Sequence, residues 1–241
     1  MKLDSKTMHT WKYWTVKFAE AHFPDDDNGN LYKCMHEGDY ADLRYEGSDP
    51  NAYRDSYFKN TNANADDWSD LINLTDRMNN YPDSSYVADI SPVINIDQWM
   101  RWFATQSIIG NIEKGLANGS GDDYAMYHGQ TDTRFILLPY DLDSLRVTGG
   151  DEGTTWQSPG KTNDSIWKAT GVDAINRFLT HIDLESQYYA AFHDLIDTVF
   201  SPAQVDPLLD ATLGGFVPQP VIDDMKQYFV DRNAYILTVI P

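Results

Sequence analysis

Apolar side chains recur at helical spacing along much of this chain, and they predict amphipathic helices. In the first half, Asn95 is a predicted N-cap, and the helix that follows it is predicted to end at Gly110. The apolar face of this helix carries Ile96, Trp99, Met100, Phe103 and Ser107. Weaker helical patterns lie at Thr10–Phe23 and after the capping arrangement at Asp67–Asp70.

The second half is helical almost throughout from Asp164 onward. Its clearest amphipathic stripe is formed by Leu184, Tyr188, Ala191, Phe192, Leu195, Ile196 and Val199. Pro220 is predicted to open the last helix, since proline is favoured in the first turn. The chain is thus expected to end in a helical region with a core of its own.

Strands are predicted mainly before this helical region. Short strands are expected at Asn30–His36, Leu43–Glu46, Tyr124–His128 and Arg134–Leu138, and five turn-like residues join the last two. Phe135–Leu138 is continuously apolar, which predicts a strand covered on both faces. Strands early and helices late predict an α+β fold, with a small sheet-bearing lobe and a helical lobe.

The charge balance excludes some partners. The chain has 241 residues with 37 acidic and 18 basic side chains, a formal net charge of −19. Such a chain repels nucleic acid and anionic lipid, so neither is an expected partner. Cys34 is the one cysteine, so no intrachain disulfide is expected. No apolar run predicts a transmembrane helix, and the polar stretch at residues 1–10 predicts no signal peptide.

Acidic residues between Gly110 and Gly150 carry the strongest chemical signal. Glu113 follows a predicted helix end, Asp123 follows a glycine-rich loop, and Asp141 and Asp143 follow the apolar strand. If the two strands form a hairpin, Asp123 and Asp141 lie near each other at its open end. Gathered carboxylates repel, so they either take up protons or hold a cation. Their hard oxygens suit Mg²⁺, Mn²⁺ or Ca²⁺, and no Cys/His cluster suggests zinc.

The same stretch resembles the CotH kinase family, the spore-coat protein H-like atypical protein kinases. Three elements carry the resemblance: Gly110–Glu113 matches G-N-x-D, Asp123–Tyr127 matches N-Y-Y-L-Y, and Pro139–Asp143 matches P-W-D-L-D. The later segment Phe229–Arg232 is also similar, and the similarity runs from about Thr15 to the C-terminus.

This resemblance implies a protein-kinase-like fold and mechanism. Glu113 stands at the catalytic aspartate of the family, Asp123 at its metal-binding asparagine, and Asp141 at the aspartate that binds the metal on ATP. Asp143 is a further expected metal ligand. The implied cofactors are ATP with Mg²⁺ or Mn²⁺, and the implied acceptors are Ser or Thr hydroxyls of a partner protein. Glu113 is one methylene longer and Asp123 adds a charge, which motivates the alternative of an impaired pseudokinase that serves as an interaction module.

Lys33 matches a G-x-L-Y-K element of the family, which implies contact with ATP phosphates. The alternative is a solvated lysine on an edge strand. A third reading of the acidic residues is a glycan hydrolase that uses Glu113 with Asp141.

The resemblance also implies a domain layout and a location. A single kinase domain is expected over residues 1–241, with residues 1–90 as a partial small lobe and linking helix and residues 91–241 as the larger lobe. Family members usually have further strands before the matched region, so either the chain is a fragment or its small lobe is shortened. An extracellular or envelope-associated location is expected by analogy.

Overall fold

The computed structural model describes residues 16–34, 40–112, 115–148 and 161–241. Within these ranges the helices are α1 (Val16–His22), α2 (Ser69–Asn80), α3 (Tyr86–Ile90), α4 (Ile96–Ile109), α5 (Asp173–Thr180), α6 (Glu185–Asp197), α7 (Pro202–Leu213) and α8 (Gln219–Val239), and the strands are β1 (Asn30–Cys34), β2 (Tyr57–Lys59), β3 (Tyr124–His128) and β4 (Ile136–Pro139). The chain divides into two compact units, one of Met1–Ile96 with Gly121–Tyr140 and one of Asp97–Ser120 with Asp141–Pro241. The predicted mixture of helices with a small sheet is confirmed.

The first unit is built on one antiparallel sheet with the strand order β2-β1-β3-β4. β1 is an inner strand: Cys34 lies opposite both Tyr57 and Tyr124, although Tyr124 is distant in sequence. Tyr124 in turn lies opposite Pro139 in the β3–β4 hairpin. The hairpin therefore completes a sheet that the early strands begin, and it belongs to the first unit.

One face of this sheet is buried against the start of α2. The face is formed by Tyr32, Cys34, Tyr57, Lys59, Tyr124, Met126 and Leu137, all with at most 5% of their surface exposed. The Tyr32 hydroxyl donates to Asp70 at 2.7 Å and accepts from Lys59 Nζ at 3.0 Å. Burial, with Asp70 alongside, raises the pKa of Tyr32, and burial lowers the pKa of Lys59. Tyr32 thus joins a buried cation to a carboxylate at the sheet–helix junction.

The opposite face is covered at one end by α1. Ala19 of α1 packs with Leu31 and Tyr127, and the partly buried Phe18, Phe23, Ile136 and Leu138 complete the cluster. The Phe23 ring stacks on Tyr127 with 4.2 Å between ring centroids. This apolar contact fixes the turn after α1 against the hairpin.

Asp26, in that turn, holds the loop between β3 and β4. Its carboxylate accepts the backbone N–H groups of Gln130, Thr131 and Asp132 at 2.7, 2.9 and 3.0 Å. A Cβ on Gly129 would lie 2.0 Å from Asp26 Oδ2, so the close approach requires glycine there. Burial opposes ionisation of Asp26, but the three N–H groups outweigh it and hold the pKa of Asp26 below its usual range.

Replacing the Asp26 carboxylate is expected to destabilise the fold in a pH-dependent way. Asp26→Asn loses the charged acceptor and should lower the free energy of unfolding at pH 7 by about 1–2 kcal/mol. The folded-state pKa of Asp26 is below its unfolded value of about 3.9, so this contribution is present above that pH and is lost as pH falls through the folded pKa. Urea unfolding at pH 7 and near pH 3 measures it. The exposed neighbour supplies the control Asp25→Asn, and an equal effect of the two variants would contradict the assignment.

The predicted strand at Leu43–Glu46 is wrong. Leu43 has φ 61°, a left-handed conformation that a strand does not contain. Its N–H donates to the Tyr57 hydroxyl at 3.0 Å, and the Glu46 N–H donates to the Tyr53 hydroxyl at 3.0 Å. Tyrosine side chains therefore satisfy the backbone groups that a neighbouring strand would otherwise bind.

The last predicted strand begins two residues late and is not equally covered on both faces. Arg134 binds Asp132 in the turn, with Nε to Oδ1 at 2.8 Å. Phe135 bonds outside the hairpin, accepting from Asn95 N at 3.1 Å and donating to Val93 O at 2.7 Å. Along β4, Leu137 is buried and its neighbour Ile136 is only partly buried. Continuous apolarity here reflects one fully buried face and one half-covered face.

The second unit has the helical core that the pattern predicted. α4 packs through Trp99 on Phe178 of α5, with ring centroids 5.7 Å apart. The predicted stripe of α6 is buried except for Val199, which is 49% exposed because α6 ends at Asp197. The predicted extent of α4 and the start of the last helix near Pro220 are confirmed.

Candidate functional site

The second unit contains the glycine turn that ends α4. Gly110 has φ 68°, and a Cβ there would lie 2.4 Å from Tyr228 Oη and 2.5 Å from Arg146 Cβ. Both the backbone conformation and the available space therefore require glycine. The Asn111 N–H donates to Gln106 O at 3.0 Å, and Asn111 Nδ2 donates to Gln106 Oε1 at 3.0 Å. These two bonds set the direction in which the chain leaves the helix.

Two of the three motif segments lie side by side within this unit. Arg146 N donates to Gly110 O at 2.8 Å, and Ile112 N donates to Ser144 O at 3.1 Å. Between these bonds, Asn111 and Leu145 form an antiparallel bridge. The structure therefore brings the segment that leads to position 113 next to the segment that follows Asp141 and Asp143. The predicted catalytic residue Glu113 itself lies outside the described residues.

Asp141 and Asp143 are both exposed at the start of this second segment. Asp141 has φ 46°. Asp143 Oδ1 accepts a hydrogen bond from the Ser144 hydroxyl at 3.2 Å, and Ser144 is buried with 3% of its surface exposed. Asp143 is thus fixed through a buried neighbour.

Asp123 lies in the first unit, immediately before β3. It is partly buried, has φ 50°, and its N–H donates to Asp122 Oδ1 at 2.9 Å. The next residue is anchored, because the Tyr124 hydroxyl donates to Ala41 O at 2.5 Å. The strand thus starts at a fixed point, with Asp123 just outside it.

Lys33 lies on the partly covered face of the sheet. It is opposite Ala125 of β3, which is in turn opposite Leu138 of β4. Lys33 Nζ donates to the Tyr140 hydroxyl at 2.9 Å and lies 4.0 Å from the centroid of that ring. Because β1 is an inner strand, the edge-strand alternative for Lys33 is wrong. Continuing the β3–β4 register by one residue places Asp123 opposite Tyr140, so Lys33 and Asp123 share one end of the sheet.

Two of the three candidate metal ligands share an uncommon backbone conformation. Five described residues other than glycine have positive φ, and Asp123 and Asp141 are two of them. This region costs most side chains about 1–2 kcal/mol, although aspartate and asparagine tolerate it best. Such conformations persist where surrounding structure holds them, and they are enriched at functional sites. This conformation could not be predicted from residue identity.

Arg232 binds the C-terminal end of α4. It is 1% exposed, and its guanidinium donates to Ser107 O at 3.2 and 3.0 Å, Thr162 O at 2.9 Å, Asp164 O at 2.6 Å and Ser107 Oγ at 3.0 Å. Ser107 belongs to the last turn of α4, where carbonyls lack helical partners. Arg232 therefore connects α8 to the turn that precedes the motif.

An ion cluster beside this turn was not predicted from the sequence. Asp164 Oδ2 binds Lys168 Nζ at 2.9 Å and Arg146 Nε at 3.1 Å. Burial opposes ionisation of Asp164, but Lys168 and Arg146 outweigh it and hold the pKa of Asp164 below its usual range. The spacing of Asp164 and Lys168, four residues apart, was the available signal.

The described part of the chain shows no metal-ligand group, and the cavity beside the turn after α4 is small. The structure as described contains no group of three or more His, Cys, Asp or Glu side chains placed to hold a metal ion. The cavity lined by Gly110, Asp164 and Arg232 has a volume of about 10 Å³, which is room for one water molecule. This cavity is not a nucleotide site.

Comparison with known protein families shows which family the chain belongs to. The family model described as CotH kinase protein matches residues 15–237, which is most of the chain. The chain belongs to the CotH kinase family. Membership indicates an atypical kinase, a transferase, and kinases in general use ATP and a divalent metal. No curated protein matches the chain significantly.

The CotH chain also has no helix, among the residues that the structure describes, with the length and apolarity needed to cross a membrane.

Proposed function

We propose that this CotH chain transfers the γ-phosphoryl group of ATP to Ser or Thr hydroxyls of a partner protein. The family match over residues 15–237 carries the proposal, together with Asp141, which agrees with the family motif without change. The acceptor oxygen forms the new P–O bond, the bond from the γ-phosphorus to the β–γ bridging oxygen breaks, and ADP leaves. Glu113 orients the hydroxyl and takes its proton.

The metal would be held by Asp123 and Asp141, with Asp143 as a further ligand. Their donor chemistry fits a hard divalent cation such as Mg²⁺ or Mn²⁺, because all three offer carboxylate oxygens. When bound, this ion would offset charge on the phosphates of ATP. The left-handed backbone at Asp123 and Asp141 supports the assignment, since such conformations are enriched at functional sites. Lys33 would contribute a second positive charge at the phosphates.

The proposed architecture is a single protein-kinase-like domain, with residues 1–90 contributing to the small lobe and residues 91–241 forming the larger lobe. A small antiparallel sheet and a helical unit support a kinase-like domain, although the hairpin within residues 121–140 belongs to the unit that carries the sheet. By analogy with the family, the protein is proposed to act outside the cell or in its envelope, on a protein acceptor.

The test is transfer of radiolabel from γ-labelled ATP by the purified chain with Mg²⁺ or Mn²⁺, using protein acceptors with exposed Ser and Thr. Label that depends on Asp141 supports the proposal. Absence of Asp141-dependent label on every acceptor and on the chain itself would overturn it.

A pseudokinase that serves as an interaction module is the second candidate, favoured by the replacements at two motif positions. Glu113 and Asp123 stand where the family has aspartate and asparagine. A displacement of about 1 Å in a catalytic group costs on the order of 10²-fold in rate. In this case the chain would bind partners without phosphorylating them.

Restoring the family residues separates the two candidates. If the chain is active, its site already accommodates both replacements, so Glu113→Asp with Asp123→Asn should transfer label within about tenfold of the parent rate. Measured label transfer by parent and double variant gives the answer, with Asp122→Asn as a control that removes a neighbouring charge. A silent parent with an active double variant would establish the module.

A further inference from the structure

We infer that Tyr140 is a positioning residue that holds the Lys33 ammonium at the phosphate end of the nucleotide site. This inference rests on the proposed function and names a residue that acts through Lys33. The observation behind it is a pair of contacts within the first unit: Lys33 Nζ donates to Tyr140 Oη at 2.9 Å and lies 4.0 Å from the ring centroid.

The sheet register explains how the two side chains meet. Lys33 is on β1 and Tyr140 follows β4, so β3 lies between them. At the intervening position β3 carries Ala125, which is fully buried and has only a methyl group as its side chain. Tyr140 is two residues beyond Leu138, the register partner of Ala125, so the alternation of side chains places Lys33, Ala125 and Tyr140 on one face of the sheet. The small residue in the middle strand therefore allows a contact that spans three strands.

The chemistry of the partner suits a phosphate-binding lysine. A neutral phenol accepts a hydrogen bond and its ring face attracts a cation, so Tyr140 orients the ammonium without adding a negative charge of its own. Tyr140 also directly precedes Asp141 and is opposite Asp123 in the continued register. Tyr140 thus holds the lysine at the end of the sheet where Asp123 lies.

The test measures nucleotide binding by calorimetry with Mg²⁺ for the parent, Tyr140→Phe, Tyr140→Leu and Lys33→Met. Tyr140→Phe keeps the ring and removes the hydrogen bond, so the dissociation constant for ATP should rise about threefold. Tyr140→Leu removes both contacts, so the dissociation constant for ATP should rise about tenfold. Adenosine carries no phosphate, so its affinity should be unchanged by every variant.

A double-mutant cycle separates positioning from a general structural effect. In the Lys33→Met background, Tyr140→Leu should cause no further loss of ATP affinity. The matched control is Tyr81→Leu, which removes another cation–ring pair in the same unit, with the Arg77 guanidinium 5.3 Å from the Tyr81 ring, and should leave ATP binding unchanged.

Each result has a distinct meaning. Equal ATP affinity of parent and Tyr140→Leu, or losses that simply add to those of Lys33→Met, would overturn the role of Tyr140 while leaving the kinase proposal intact. A parent that binds no ATP at all would overturn both. Tyr140→Phe is nearly isosteric, so its result stands even if Tyr140→Leu folds poorly.

Discussion

Asp141→Ala is expected to lower phosphoryl transfer on the order of 10²–10³-fold, the usual cost of removing one charged group that stabilises the reacting phosphate. Asp141 is exposed, so its loss should leave the free energy of unfolding nearly unchanged. Alanine at position 141 adds a small conformational cost, because its backbone there is left-handed. Asp141→Asn avoids this cost, since asparagine tolerates the same conformation. The measurement is the initial rate of label transfer at saturating ATP and Mg²⁺.

The controls for Asp141 distinguish chemistry from folding. Asp183→Ala removes an exposed carboxylate at a helix junction elsewhere in the second unit and should leave the rate unchanged. Raising the Mg²⁺ concentration should partly rescue Asp141→Asn, because a weakened metal site fills by mass action. A rate within threefold of the parent for both Asp141 variants would remove Asp141 from the proposed machinery.

Local pattern predicted the elements of this fold better than their partners. The helical face of α4 and the strand Tyr124–His128 follow from spacing alone, and both are confirmed. Spacing could not show that this strand lies beside β1, because the pairing joins residues some ninety positions apart and depends on side chains from both. The false strand at Leu43–Glu46 has the same cause, since its backbone binds tyrosines that no local pattern identifies.

The residue types of the candidate site were predictable from the sequence, but the backbone conformations and contacts that position them were not. Carboxylates at loop ends indicated the chemistry of Asp123 and Asp141, and those assignments remain predictions. Their left-handed conformations arise from how the chain enters and leaves the hairpin, which residue identity alone does not reveal. The contact between Lys33 and Tyr140 depends on strand order and on a small residue between them. Features that depend on backbone conformation and strand order therefore could not be predicted from the sequence.

Arg232→Met is expected to lower the free energy of unfolding by about 3–5 kcal/mol, the usual range when one partner of a buried charged network is removed. Methionine fills much of the same volume but donates no hydrogen bond, so the carbonyls of Ser107, Thr162 and Asp164 lose a buried partner. These carbonyls are partly buried, and a fully buried carbonyl without a partner costs about 1–3 kcal/mol. Arg232→Lys should cost less, because an ammonium reaches some of these oxygens but lacks the planar guanidinium geometry. Chemical denaturation with equal slopes for parent and variant gives the difference.

The matched control is Arg101→Met on α4, in the same unit. Arg101 forms an ion pair with Asp194 in which both side chains are well exposed, so its loss should cost at most about 1 kcal/mol. Arg232 holds the turn that precedes Gly110, so Arg232→Lys should also slow label transfer under conditions where it is fully folded, and Arg101→Met should not. Equal stability losses for Arg232→Met and Arg101→Met would show that the buried guanidinium does not anchor the end of α4. The proposed support of the catalytic segment by α8 would then be wrong.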